Sequence, residues 1–274
     1  MKAGVFIFAL CILLAVSCGP LSRKSPFSES TLTQANRLND QSIASLEALD
    51  QTPQDIILLS MSDSHQNYDD LSELVGIMNG FSGDMITHTG DFTNQGYNFE
   101  YDLFISAFTN LKLPHVVAFG NHDTNVRGKA LYNRLFGDFN RRFEFRGYRF
   151  LIFNNNNLDF YYDGKVDWDW LDRQVSASTL PVVIFMHVNP DNTGYFTDED
   201  RARFWGIIQG SKVRLIMNGH EHVWYTEMTH GALRHQVARV EGLQWSRVTL
   251  KANEVVVERC KGRTCSHDTT EAFP

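Results

Sequence analysis

The chain has 274 residues, 43% hydrophobic and 21% charged, an ordinary globular composition with room for a sizeable core. Its net charge of −7 argues against gripping a phosphate backbone through a basic field, so nucleic acid is not an expected partner. Of the ten histidines, five fall within a few short motifs, a bias that points to a metal site rather than to scattered surface imidazoles.

Met1 to Cys18 opens with Lys2 and continues as an apolar run from Ala3 to Val16, shorter than the roughly 20 residues that span a bilayer. This reads as a signal peptide. Its end, Leu14-Ala15-Val16-Ser17-Cys18, resembles the lipobox of bacterial lipoproteins, with Ala15 where leucine is commonest. The resemblance implies that Cys18 is acylated as the mature N-terminus and tethers the domain to a membrane. A plain secretory signal is the alternative, and either places the domain outside the cytoplasm.

Residues 19–54 read as a polar tether and then a helix, with Leu32, Ala35, Leu38, Leu46 and Leu49 at helical spacing. Residues 55–274 form the body. Asp55 to Met61 is an apolar strand, and Tyr68 to Gly80 carries Leu71, Leu74, Val75 and Met78 on one helical face. Met85 to Thr89 is the next strand, followed by a helix presenting Tyr101, Phe104, Ile105 and Phe108, and then by a strand at Pro114 to Phe119. This alternation predicts βαβ units and a largely parallel sheet. Asp63, Asp91 and Asn121 are 28 and 30 positions apart, about one βαβ unit each, which brings all three to the carboxyl edge of one sheet.

In the second half, Arg142 to Phe145 and Tyr148 to Phe153 read as a hairpin turning at Gly147, and Asp167 to Val175 as a short helix. Strands are predicted at Pro181 to His187 and Val213 to Met217, separated by a helix burying Phe204, Ile207 and Ile208. From His222 to Arg259 the pattern is strand after strand. Cys260 and Cys265 are expected to form a local disulfide closing a hairpin. The run Asn154 to Asn157 reads as a polar loop.

Five segments each follow a predicted strand: Asp63-Ser64-His65, Gly90-Asp91, Gly120-Asn121-His122-Asp123, Met186-His187 and Gly219-His220-Glu221-His222. Carboxylates, an amide oxygen and imidazoles make a mixed oxygen and nitrogen donor set suited to Mn, Fe or Zn. At Gly120 a glycine is expected to let the chain turn sharply off its strand. In this order the motifs resemble the calcineurin-like metallophosphoesterase family, over a stretch from Ile56 to about Trp224. The resemblance implies a four-layer α/β/β/α sandwich with two mixed β-sheets flanked by helices. It also implies two metal ions, one held by Asp63, His65, Asp91 and His222, the other by Asp91, Asn121, His187 and His220. Such a pair activates a bridging hydroxide for in-line attack on a phosphoester. His122 is then the expected general acid, and Asp123 is either its orienting partner or a cap on the following helix.

Departures from better-known branches narrow the substrate. After the Gly-Asp motif the chain reads Phe92-Thr93-Asn94-Gln95-Gly96, without the arginine of protein serine/threonine phosphatases, and Asn94 stands where purple acid phosphatases carry a tyrosine ligand. The form is similar to a bacterial branch containing cyclic-nucleotide and glycerophosphodiester phosphodiesterases. A small phosphomono- or phosphodiester is therefore the expected substrate. Val188 to Thr197, with Asn189, Asn192, Tyr195 and Phe196, and the pair Trp224-Tyr225 are the expected rim of the site. The alternatives are a tethered binding lipoprotein without chemistry and, against the charge, a nuclease.

Overall fold

The computed structural model describes residues 36–124, 127–156 and 165–273. Cys18, Leu32, Ala35 and Asn157 lie outside them. Among the described residues no helix is long and apolar enough to cross a membrane. The chain runs α1 (Leu38–Glu47), β1 (Ile56–Met61), α2 (Tyr68–Met78), β2 (Met85–His88), α3 (Asn98–Phe108), β3 (His115–Val117) and α4 (Gly128–Leu135). There follow β4 (Arg141–Phe145), β5 (Tyr148–Ile152), α5 (Trp168–Ser176), β6 (Val182–Phe185), α6 (Asp198–Ile208) and β7 (Val213–Asn218). A hairpin and a three-stranded meander complete it: β8 (Tyr225–Thr229) with β9 (Ala232–Gln236), then β10 (Gln244–Leu250), β11 (Glu254–Lys261) and β12 (Thr264–Ala272).

These strands form two six-stranded sheets, ordered β12-β11-β10-β1-β2-β3 and β4-β5-β6-β7-β9-β8. In the first, β1, β2 and β3 are parallel, and β10 joins β1 antiparallel. In the second, β5, β6, β7 and β9 are parallel, with β4 and β8 antiparallel at the edges. The parallel expectation thus holds for one side of the first sheet and for the centre of the second, and hairpins make both sheets mixed.

Alternation along the strands separates the cores, because successive side chains point to opposite faces. In β1, Ile56 and Leu58 face the space between the sheets, where they meet Phe150, Phe185 and Leu215. Leu59 and Met61 face outward against α2, α3 and α4. On the second sheet Val182 and Ile184 face outward against α5 and α6, which contribute Leu171 and Phe204. The result is the α/β/β/α layering.

α1 serves the edge of the first sheet. β3 is a terminal strand, and an open edge leaves unpaired N–H and C=O groups. The Asn39 carboxamide pairs with both backbone groups of Val117, accepting from its N–H at 2.8 Å and donating to its carbonyl at 2.9 Å. Ser42 Oγ accepts from His115 N–H at 3.1 Å. Ile43 and Leu46 enter the core between the sheets, while Leu49 is 47% exposed. At the other end of that sheet Cys260 and Cys265 are directly opposite across β11 and β12, and their disulfide closes the hairpin.

Candidate metal centre

All five motifs lie in loops at the carboxyl ends of β1, β2, β3, β6 and β7. The loops are cross-braced through the backbone: Asp63 N–H donates to the Gly90 carbonyl and His65 N–H to the Asp91 carbonyl, both at 3.0 Å. Asp63, His65, Asp91, His220 and His222 have φ of 50°, 44°, 55°, 78° and 64°. Such left-handed backbone is rare outside glycine, although Asn, Asp and His tolerate it best. Strain of about 1–3 kcal/mol per residue persists only where surrounding contacts over-determine it. The packing is correspondingly tight. A Cβ on Gly120 would lie 2.1 Å from Asp91 N, and one on Gly219 would lie 2.0 Å from Ser62 Oγ. Gly120 is therefore required by close approach rather than by the sharp turn expected of it.

Asp91 is at the centre. Its Oδ1 accepts from His122 N–H at 2.8 Å, which leaves Oδ2 to face the cluster. His187 Nε2 is 3.0 Å and His65 Nε2 3.9 Å from that oxygen. On one side Asn121 Oδ1 lies 3.1 Å from His187 Nε2 and 2.9 Å from His220 Nδ1. On the other, Asp63 Oδ1 is 3.5 Å from His222 Nε2 and 4.0 Å from His65 Nε2, and the two imidazole nitrogens approach to 3.0 Å. Asp63, His65 and His222 form one group of donor atoms within 4.8 Å of one another, and Asp91, His187 and His220 form another.

This donor chemistry fits metal ions. His187 Nδ1 is 2.9 Å from the Thr89 carbonyl and His65 Nδ1 3.2 Å from the Thr93 carbonyl. Only a donor can satisfy a carbonyl, so each Nδ1 carries hydrogen and each Nε2 is the nitrogen turned inward, the orientation a ligating histidine needs. Asn121 Oδ1, Asp91 Oδ2 and His187 Nε2 thus converge on one point, where a cation could replace the Nε2 proton that otherwise joins them. Burial lowers His65 to about 4 and His220 to about 3, keeping both imidazoles neutral. Burial also pushes the Asp63 carboxyl up to about 7, with the Asp91 charge adding to it. Burial acts the same way on Asp91 but is outweighed by the adjacent His187, so Asp91 falls below the usual carboxylate range.

His122 is partly exposed above this cluster. Its ring meets His65 edge-on, with centroids 4.8 Å apart, and its Nδ1 is 2.8 Å from the Asn94 carbonyl. That carbonyl, and not Asp123, orients it. The expected pairing of Asp123 with the His122 ring is corrected here. Asp123 is fully buried; its Oδ2 accepts from Asp91 N–H at 3.0 Å and Gly120 N–H at 2.9 Å. Its Oδ1 accepts from Thr93 N–H at 2.8 Å and the Thr93 hydroxyl at 2.9 Å. Burial and the Asp91 charge raise its proton affinity, while these four donors favour the carboxylate. It braces the ligand loops rather than capping α4.

Residues 58–224, more than half of the chain, match the calcineurin-like phosphoesterase family. The chain belongs to that family. A relative from Synechococcus sp., named as a probable cyclic nucleotide phosphodiesterase, is 24% identical over 154 residues. These are 52% of this chain, which spans 58% of the relative's length. Among solved structures, a dimetal phosphatase from Danio rerio aligns with a TM-score of 0.66 at 13% identity, over 80% of this chain and 99% of that one. Purple acid phosphatase PPD1 from yellow lupin aligns at 0.64 with 11% identity, over 82% and 55%. At these identities the likeness is one of fold.

Other residues of this calcineurin-like phosphoesterase were not singled out in its sequence. The Glu100 carboxylate accepts from the backbone N–H groups of Asn94, Gln95 and Tyr97 at 2.9–3.2 Å, fixing the loop that holds His122. Its signal was present, since an acidic residue three positions into a helix commonly reaches back to the start. His88, at the end of β2, accepts from Gly90 N–H and contacts Ser64 Oγ at 3.2 Å, linking two ligand loops from beneath. Of the expected rim, the Tyr195 ring stands edge-on to His220 at 4.8 Å, whereas Phe196 is buried in the outer core. Glu221, between the ligands His220 and His222, accepts from Asn192 Nδ2 at 2.9 Å and joins the rim loop to the last ligand loop.

Proposed function

We propose that this phosphoesterase is a two-metal hydrolase of small phosphomono- or phosphodiesters, exported and held at a membrane by a lipid on Cys18. The carrying observation is the division of labour at Asp91, whose Oδ1 is clamped by the His122 amide while Oδ2 faces both donor sets. Asp63, His65 and His222 complete one set, and Asn121, His187 and His220 the other. Metal ions bound there supply an activated water and neutralise charge on the phosphoryl oxygens.

The chain's own contribution is orientation and a proton. With Nδ1–H committed to the Asn94 carbonyl, His122 presents Nε2 to the open side of the cluster. Protonated there, it donates to the departing oxygen of the ester. Tyr195 beside His220 gives the substrate an aromatic wall. The diester reading draws support from the Gly90-Asp91-Phe92-Thr93-Asn94 form and from the name of the cyanobacterial relative. The Cys260–Cys265 disulfide supports an oxidising compartment, and the Cys18 segment lies outside the described residues.

The test is a panel of aryl phosphomonoesters, cyclic nucleotides and glycerophosphodiesters, assayed on the chain beyond Cys18 with defined Mn2+, Zn2+ or Fe loading. Turnover that is abolished by chelation and restored by metal is the expected result. No turnover by ion-loaded protein on any of them would favour the silent binding lipoprotein. Mass analysis of the mature N-terminus tests the lipid on Cys18.

A further inference from the structure

The run expected as a polar surface loop is buried: Asn154, Asn155 and Asn156 are 5%, 1% and 0% exposed. Buried carboxamides must find partners, and here the partners belong to two ligand loops. Asn155 Nδ2 donates to the Val188 carbonyl at 2.7 Å, while its Oδ1 accepts from Val188 N–H at 3.1 Å and His187 N–H at 3.4 Å. It therefore grips the backbone that carries His187 from both sides. Asn156 Nδ2 donates to the Phe119 carbonyl at 2.9 Å, the residue before Gly120-Asn121, and to Asn154 Oδ1 at 2.8 Å. That bond crosses from the second sheet to the first.

Asn156 has both amide hydrogens engaged, yet its own buried Oδ1 has no partner among the described residues.

Asn121 and His187 share only the second donor set, and they come from different sheets. Adjacent carboxamides linking Phe119 to Val188 set the gap between them. We propose that Asn155 and Asn156 are positioning residues for the second metal ion, a two-residue spacer that fixes the separation of Asn121 from His187. This rests on the two-metal reading above. Among the described residues no bond of the spacer reaches Asp63, His65, Asp91 or His222, so the first donor set should not depend on it.

The test is Mn2+ titration by calorimetry of the chain beyond Cys18, with electron paramagnetic resonance to detect a coupled Mn2+ pair. Wild type should bind two ions and show coupling. In Asn155→Ala and Asn156→Ala one ion should bind within about 2-fold of wild type while the other weakens by about 10- to 100-fold, with loss of the coupled signal. Asn155→Asp keeps volume and the acceptor to the His187 and Val188 N–H groups but sets a carboxylate oxygen against the Val188 carbonyl, so it should weaken the same ion, and urea unfolding of every variant guards against one that fails to fold. Asn79→Ala removes an asparagine that likewise bonds two backbone groups, of Asn110 and Lys112, and should keep both ions. Two ions of wild-type affinity in the spacer variants, or parallel weakening of both, would overturn the inference while sparing the two-metal reading. Fewer than two ions in wild type would overturn both.

Discussion

Neighbouring residues in the Gly120-Asn121-His122-Asp123 turn have opposite exposures, and from that follow opposite mutational phenotypes. His122 makes one side-chain bond, to the Asn94 carbonyl, at a partly exposed position. His122→Ala should lower turnover by roughly 10² to 10⁴ while ion content and stability stay near wild type, as metal analysis and denaturant unfolding would show. Loss of both ions in that variant would mean that its role is structural. Asp123→Ala should do the reverse. It strands three buried backbone N–H groups, of Asp91, Gly120 and Thr93, and each unpaired group costs about 1–3 kcal/mol. A fall in unfolding free energy of at least about 3 kcal/mol is the expected measurement, with ion binding lost alongside. An Asp123→Ala protein of wild-type stability would contradict the bracing role.

At the scale of elements, α1 substitutes for the strand that β3 lacks. Asn39→Ala should strand the Val117 N–H, the carbonyl keeping the Tyr132 hydroxyl at 2.6 Å, and lower unfolding free energy by about 1–3 kcal/mol, measured by urea denaturation. Unchanged stability would mean that water replaces the carboxamide at no cost. A helix was expected here and α1 is one, but of the spaced residues only Leu38 and Leu46 lie in it and Leu49 is exposed; its pairing with β3 was not legible, because periodicity says nothing of what a polar side chain will meet. The same limit explains Asn154 to Asn156, whose composition is that of a loop and whose burial depends on ligand loops far away in sequence. What was legible at the site were the donors, because a strand end followed by Asp, Asn or His is local information. Asp123 misled for the opposite reason: adjacency to His122 suggested a pair, but a tight turn sends the two side chains to different sides.

Over the whole molecule, the two sheets are joined by polar as well as apolar contacts. His235 on β9 is buried between Thr226 and Ser246, each 2.8 Å from a ring nitrogen, and Thr226 in turn bonds to Asp268 on β12. Burial lowers His235 to about 4 from its ordinary value near 6.5, so the fold holds it neutral. The unfolded chain binds this proton first on acidification. The group costs nothing above pH 6.5, and stability falls by about 1.4 kcal/mol per unit as pH drops from there toward 4. The difference in unfolding free energy between wild type and His235→Gln at pH 7 and 5, with ions chelated, isolates this contribution; equal slopes for the two proteins would refute it. The donor sets span the same divide. Asp63, His65, Asp91 and Asn121 come from the first sheet and His187, His220 and His222 from the second, with His222 following His65 by 157 positions. Neither set is complete until both halves of the chain have folded together. Metallation is therefore a late event, and on the exported reading proposed above the chain would take its ions from the compartment where it folds, so the metal it carries would report the supply there.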